Sequence, residues 1–157
     1  MRKKHLFVTY EDETKPIRIA RQGSKGYLTI RKLVDPEDTG SVSAIVLVAE
    51  ALPHQQQITP HAHRDYEESM YVVTGYGRLL IGPTVEKMET FRLRPGACIY
   101  IMADYYHVVE VEGEEPMKLI ISYFPTDKRG KSHREIATEL TNVPLQGEYG
   151  KQSDLVR

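Results

Sequence analysis

Short apolar stretches separated by turn residues run through most of the chain. Segments rich in β-branched and aromatic residues fall at residues 27–33, 42–49, 70–74, 79–81, 99–102, 108–111 and 119–124. Between them stand Pro36, Gly40, Pro53, Pro60, Gly75, Gly77, Gly82, Pro83, Pro95, Gly96, Gly113 and Pro116. Strand-length segments bounded in this way predict an all-β sandwich or barrel. Residues 5–10 and 16–21 predict two further strands, separated by the acidic turn Glu11-Asp12-Glu13. The trio Gly75-Tyr76-Gly77 reads as a hairpin turn, since no helix start follows it to make a phosphate loop. A helical signal arises only near the C-terminus, at residues 132–140, where Ser132 is a candidate N-cap and Glu135 its capping-box partner. The rest of the polar stretch 125–157 reads either as a disordered tail or as a lid over the barrel.

Length and charge narrow the functional classes. The 157 residues suit one domain, with its core over about 40–124. Lys and Arg number 21 and Asp and Glu 22, a net charge of -1. Phosphate backbones are bound by a concentrated positive field, so nucleic acid is not expected as the main partner. No apolar run approaches the ~20 residues of a membrane helix, so no membrane partner is expected. The basic start Met1-Arg2-Lys3-Lys4-His5 precedes no segment of signal-peptide length, and Cys98, the lone cysteine, allows no internal disulfide. Together these predict a cytoplasmic protein, with Cys98 serving as a small apolar strand residue.

Candidate chemistry concentrates in the segment Thr59-Pro60-His61-Ala62-His63-Arg64-Asp65-Tyr66-Glu67-Glu68. In a strand, residues i and i+2 share a face, so His61 and His63 point the same way and can bind one divalent ion. An isolated His-x-His pair is as often two polar residues on an exposed strand. Glu68, however, shares its parity with Met70 and Val72 on the inward-looking face, where an unpaired carboxylate is costly. His107, in phase with Val109 and Val111, is a fourth inward candidate. His5, His54 and His133 lack matching neighbours and read as surface residues. Tyr105 and Tyr106 read either as the rim of a pocket or as turn-capping aromatics.

These two segments resemble the paired motifs of the cupin superfamily. The first motif runs Gly, five residues, His-x-His, three or four residues, Glu, six residues, Gly. His61, His63, Glu68 and Gly75 match it in the four-residue form, and Gln55 stands at the leading Gly. The second runs Gly, five residues, Pro-x-Gly, two residues, His, three residues, Asn. Gly96 and His107 match, whereas Met102, Asp104 and Val111 replace the Pro, Gly and Asn. The departures fall in the turn before His107 and spare all four ligand positions.

The resemblance implies a cupin-type jelly-roll β-barrel holding one divalent metal ion on His61, His63, Glu68 and His107. The same four ligands accept Fe, Mn, Ni or Zn. Strand parity adds Met70, Val72, Tyr100, Leu119, Ile121 and Tyr123 as candidate walls of a substrate pocket. Among cupins this ligand set implies a mononuclear oxygenase acting on a small organic acid, phenolic or diketone substrate. A metal-dependent isomerase or lyase, and a non-catalytic small-molecule sensing module, are the alternatives. Cupin barrels often pair, so a homodimer is expected, its N-terminal strand covering a sheet edge.

Overall fold

The computed structural model describes residues 7–20, 26–41, 44–53 and 59–126. Nine strands and one short 3-10 turn, Glu11–Glu13, make up its regular structure. The strands are β1 (Ile17–Ile19), β2 (Leu28–Val34), β3 (Ile45–Ala51), β4 (Tyr66–Thr74), β5 (Tyr76–Gly82), β6 (Glu89–Leu93), β7 (Cys98–Ile101), β8 (Tyr106–Glu112) and β9 (Met117–Pro125). They form a six-stranded sheet in the order β1-β2-β3-β9-β4-β7 and a three-stranded sheet in the order β6-β5-β8. Every paired neighbour is antiparallel. The order breaks sequence at β9, which inserts between β3 and β4, as a jelly roll requires. No helix among the described residues is long and apolar enough to cross a membrane.

Side chains of the large sheet line up in rows across the strands. One inward row joins Ile30, Ala49, Leu119 and Val72, and the next joins Leu47, Ile121, Met70 and Ile99. These apolar rows, with Leu79 and Leu93 of the small sheet, form one buried cluster. The following row runs Ile45, Tyr123, Glu68, Ile101. A carboxylate therefore occupies a core position in register with three apolar neighbours.

Three expectations are corrected. Residues 7–10 of the expected first strand form none: Phe7 is 94% exposed and the chain enters the 3-10 turn at Glu11. With no apolar surface beneath it, alternation alone does not make a strand; residues 1–6 lie outside the described part. The expected hairpin at Gly75-Tyr76-Gly77 is a corner between sheets, since β4 belongs to the large sheet and β5 to the small one. Gly75 makes that corner with φ +84, and a Cβ there would lie 2.6 Å from Met117 Cα. Finally, β6 answers to none of the expected segments, because its burial pattern is exposed at every residue but Leu93. The expected helix at 132–140 lies outside the described residues.

Candidate metal centre

The site is built where the approach to β4 meets β8. His61 and His63 precede β4, in a segment held by an isolated bridge between His61 and His107. Its two hydrogen bonds run from His61 N–H to the His107 carbonyl at 3.1 Å and from His107 N–H to the His61 carbonyl at 2.8 Å. The Asp104 N–H donates to the His63 carbonyl at 2.7 Å. Asp104 stands where the second motif usually has Gly, and it adopts φ 69. Aspartate is among the few residues that enter this region at low cost, so the replacement keeps the turn that delivers His107.

The three imidazoles converge. Their ring centroids lie 4.7 Å (His61–His63), 4.4 Å (His61–His107) and 5.1 Å (His63–His107) apart. One ligand nitrogen from each falls within 4.8 Å of the others, an arrangement that could hold a metal ion. Glu68 enters from β4, 2% exposed, with Oε2 3.2 Å from both His63 Nε2 and His107 Nε2. Neighbouring Glu67 sits on the opposite face, half-buried, so the four-residue gap selects the inward carboxylate. Burial alone pushes the Glu68 carboxyl up, but His107 and His63 beside it outweigh burial and hold it well below the usual carboxylate range.

The geometry of the donor set suits a bound ion. Glu68 Oε2 and His107 Nε2 are buried yet make no hydrogen bond, despite their 3.2 Å separation. Ligands ~2.1 Å from one ion and at right angles to each other stand about 3 Å apart. Two close atoms that face a common point and do not bond each other fit that arrangement. Nδ1 of each histidine is engaged elsewhere: His61 with the Thr59 carbonyl at 3.0 Å, His107 with the Tyr105 carbonyl at 3.2 Å, and His63 with the Tyr66 hydroxyl at 2.6 Å. Such outer partners orient ligating imidazoles and leave Nε2 for a metal.

The expected pocket walls divide. Met70, Val72, Leu119, Ile121 and Tyr123 are buried on the inner face. Tyr123 lies opposite Glu68 in the register, its ring 6.0 Å from His63, whereas Val72 and Leu119 lie two rows further from the cluster. Tyr100 is not a wall. It is 59% exposed, because β7 turns Ile99 and Ile101 inward and Tyr100 outward. Cys98, on the same outer face, is exposed, with Ser69 Oγ 3.8 Å from its sulfur. Tyr105 and Tyr106 are half-buried, and it is the main-chain carbonyl of Tyr105 that touches the cluster. His5, His54 and His133 lie outside the described residues. Tyr66 escaped the sequence reading: it opens β4 in phase with Glu68, but the approach of its hydroxyl to His63 depends on the irregular path of the chain ahead of that strand.

Fold and site together define a jelly-roll β protein whose inner face gathers three histidines and a buried glutamate. Comparison gives this class its family: the model described as "Cupin domain" matches residues 48–123, and these residues form a cupin domain. A predicted oxalate decarboxylase from Thermotoga maritima superposes with TM-score 0.64 at 17% identity, covering 76% of this chain and 99% of that one. The Fe(II) form of HppE with substrate gives 0.63 at 20% identity, covering 76% of this chain and 60% of that one. A protein assigned as a sugar phosphate isomerase from Acidithiobacillus ferrooxidans gives 0.51 at 17% identity, covering 63% and 61%. At these identities the likeness shows the fold alone. No curated protein sequence matches the chain significantly.

Proposed function

We propose that His61, His63, Glu68 and His107 hold one divalent metal ion, and that the protein is a mononuclear oxygenase acting on a small organic acid, phenolic or diketone substrate. The observation that carries this reading is Glu68 Oε2, buried and without a hydrogen bond, 3.2 Å from two histidine Nε2 atoms. Iron is favoured, because the similar HppE structure holds Fe(II) together with its substrate. Bound Fe(II) would supply Lewis acidity and an accessible redox change, which Zn(II) lacks.

The chain's own residues do the rest. Three neutral imidazoles and one carboxylate leave a divalent site with a charge of about +1, which favours an anionic substrate oxygen. Glu68 Oε2, 3.2 Å from His63 Nε2 and from His107 Nε2, would present carboxylate charge to the ion. The buried aliphatic rows behind it limit water, which strengthens electrostatic interactions inside. Tyr123, opposite Glu68, is the inward wall nearest the cluster among the apolar candidates.

A second reading, a metal-dependent isomerase or lyase, draws on the similarity to the protein assigned as a sugar phosphate isomerase. Metal replacement separates the two. Apo protein is loaded anaerobically with Fe(II), Mn(II), Ni(II) or Zn(II), given panels of hydroxy acids, catechols and diketones, and followed with an oxygen electrode. The oxygenase reading expects oxygen uptake with a redox-active metal, none with zinc, and loss of uptake in Glu68→Ala. Equal turnover with zinc and no oxygen uptake would replace it with the isomerase or lyase. Tight ligand binding without conversion would indicate a sensing module.

A further inference from the structure

We propose that Tyr66 is a positioning residue whose hydroxyl partners Nδ1 of His63 in either placement of the ring proton, and so tunes that histidine as a metal ligand. The proposal rests on the reading of His61, His63, Glu68 and His107 as the ligand set.

The three histidines are not equivalent in what faces their outer nitrogen. Nδ1 of His61 meets the Thr59 carbonyl at 3.0 Å, and Nδ1 of His107 meets the Tyr105 carbonyl at 3.2 Å. A carbonyl only accepts, so both rings carry hydrogen on Nδ1 and turn an Nε2 lone pair inward. His63 differs, because its Nδ1 meets the Tyr66 hydroxyl at 2.6 Å. A hydroxyl donates or accepts with the same heavy-atom positions.

Two arrangements therefore share one geometry. When His63 binds a metal through Nε2, Nδ1 bears the hydrogen and donates to the Tyr66 oxygen, whose own proton turns elsewhere. When Nε2 bears the hydrogen, the Tyr66 hydroxyl donates to Nδ1, and Glu68 Oε2 lies 3.2 Å from Nε2 without a hydrogen bond. His61 and His107 have only the first of these open to them as neutral rings. His63 is thus the ligand whose proton placement can follow occupancy without any side-chain movement.

The tyrosine ring is held for this role. It is 6% exposed, stacks on His63 with centroids 4.4 Å apart and planes 28° apart, and meets Tyr123 edge-on at 5.0 Å. Phenylalanine keeps those ring contacts and removes the group that faces Nδ1. Loss of an outer partner of a ligating histidine typically lowers metal affinity ~10- to 100-fold.

The test uses the full chain, stripped of metal, as wild type and Tyr66→Phe. Zinc affinity is measured by competition with a chromophoric chelator, and histidine 15N NMR of the zinc-loaded wild type identifies the protonated nitrogen of His63. The melting temperature before zinc addition checks that the variant folds. The expected result is a folded variant that binds zinc ~10- to 100-fold more weakly, with wild-type His63 protonated at Nδ1 and ligated through Nε2. Equal affinity in the two proteins, or ligation of His63 through Nδ1, would overturn the proposal while leaving the metal site standing. A wild type that binds no zinc would overturn the ligand set and this proposal with it. If Tyr66→Phe does not fold, the zinc-loaded wild type decides: a hydrogen bond from His63 Nδ1–H to the Tyr66 oxygen is expected in its spectra, and its absence would overturn the proposal.

Discussion

Two glycines of the paired motifs adopt positive φ, and their surroundings predict very different sensitivities. Gly75 has φ +84, and a Cβ there would come within 2.6 Å of Met117 Cα and 2.7 Å of the Pro116 carbonyl oxygen. Gly96 has φ +90, but nothing lies within 4 Å of its added Cβ. Alanine at Gly96 therefore carries only the left-handed backbone cost, about 1–2 kcal/mol. Alanine at Gly75 carries the same cost and forces β9 away, and because the atoms it meets are main chain, no rotamer change relieves the contact. Overpacking typically adds a further ~1–3 kcal/mol. At roughly 2–4 °C per kcal/mol for a chain of this size, Gly96→Ala should melt a few degrees below wild type. Gly75→Ala should melt a further ~2–12 °C below Gly96→Ala. Thermal unfolding of the metal-stripped proteins by circular dichroism measures the difference. Equal melting temperatures for the two variants would refute the reasoning, because the close approach of β9 would then not be what requires glycine at the corner.

Three further outcomes are expected. His61→Ala, His63→Ala and His107→Ala should each deplete bound metal in elemental analysis, whereas His54→Ala and His133→Ala should retain it; full metal content in the first three would remove the site. Ligating imidazoles must be neutral, so protons compete with the metal. Affinity, and the stability that metal contributes, should be present at alkaline pH and fall as pH drops through ~6.5, as chelator competition across pH would measure. We also propose a homodimer that residues 1–10 help to hold. Light scattering should show it at micromolar concentration, and deletion of those residues should weaken it before metal content changes.

Much of the architecture was legible because burial is one-sided. In β4 the inward alternation of Glu68, Met70 and Val72 is visible as a period of two, and it agrees with the motif spacing that selects Glu68 over Glu67. The same rule errs at Tyr100, because Ile99 and Ile101 set the register of β7 and turn the aromatic between them outward. It missed β6, since an edge strand exposed at four of five positions carries no alternation to read. Spacing also brought His61 and His63 together on the assumption of a strand. The rings do converge, but the segment ahead of β4 is irregular and is held by the bridge to β8. The outer partners of the histidines are two main-chain carbonyls and Tyr66, and neither kind announces itself in a sequence. A carbonyl belongs to every residue, and the approach of the Tyr66 hydroxyl to His63 depends on the path of the chain.

The main-chain bridge between His61 and His107 has a consequence for how a metal enters and leaves. Two ligands far apart in sequence are joined by their own peptide groups, and a third is tied to the turn before His107 through the Asp104 N–H. The fold therefore assembles the cradle from bonds that no ion supplies. In a zinc finger, by contrast, metal binding and folding are one event. Here the entropy of gathering these side chains is spent during folding, so under the proposed metal reading different divalent ions would exchange through the site while the barrel stays closed.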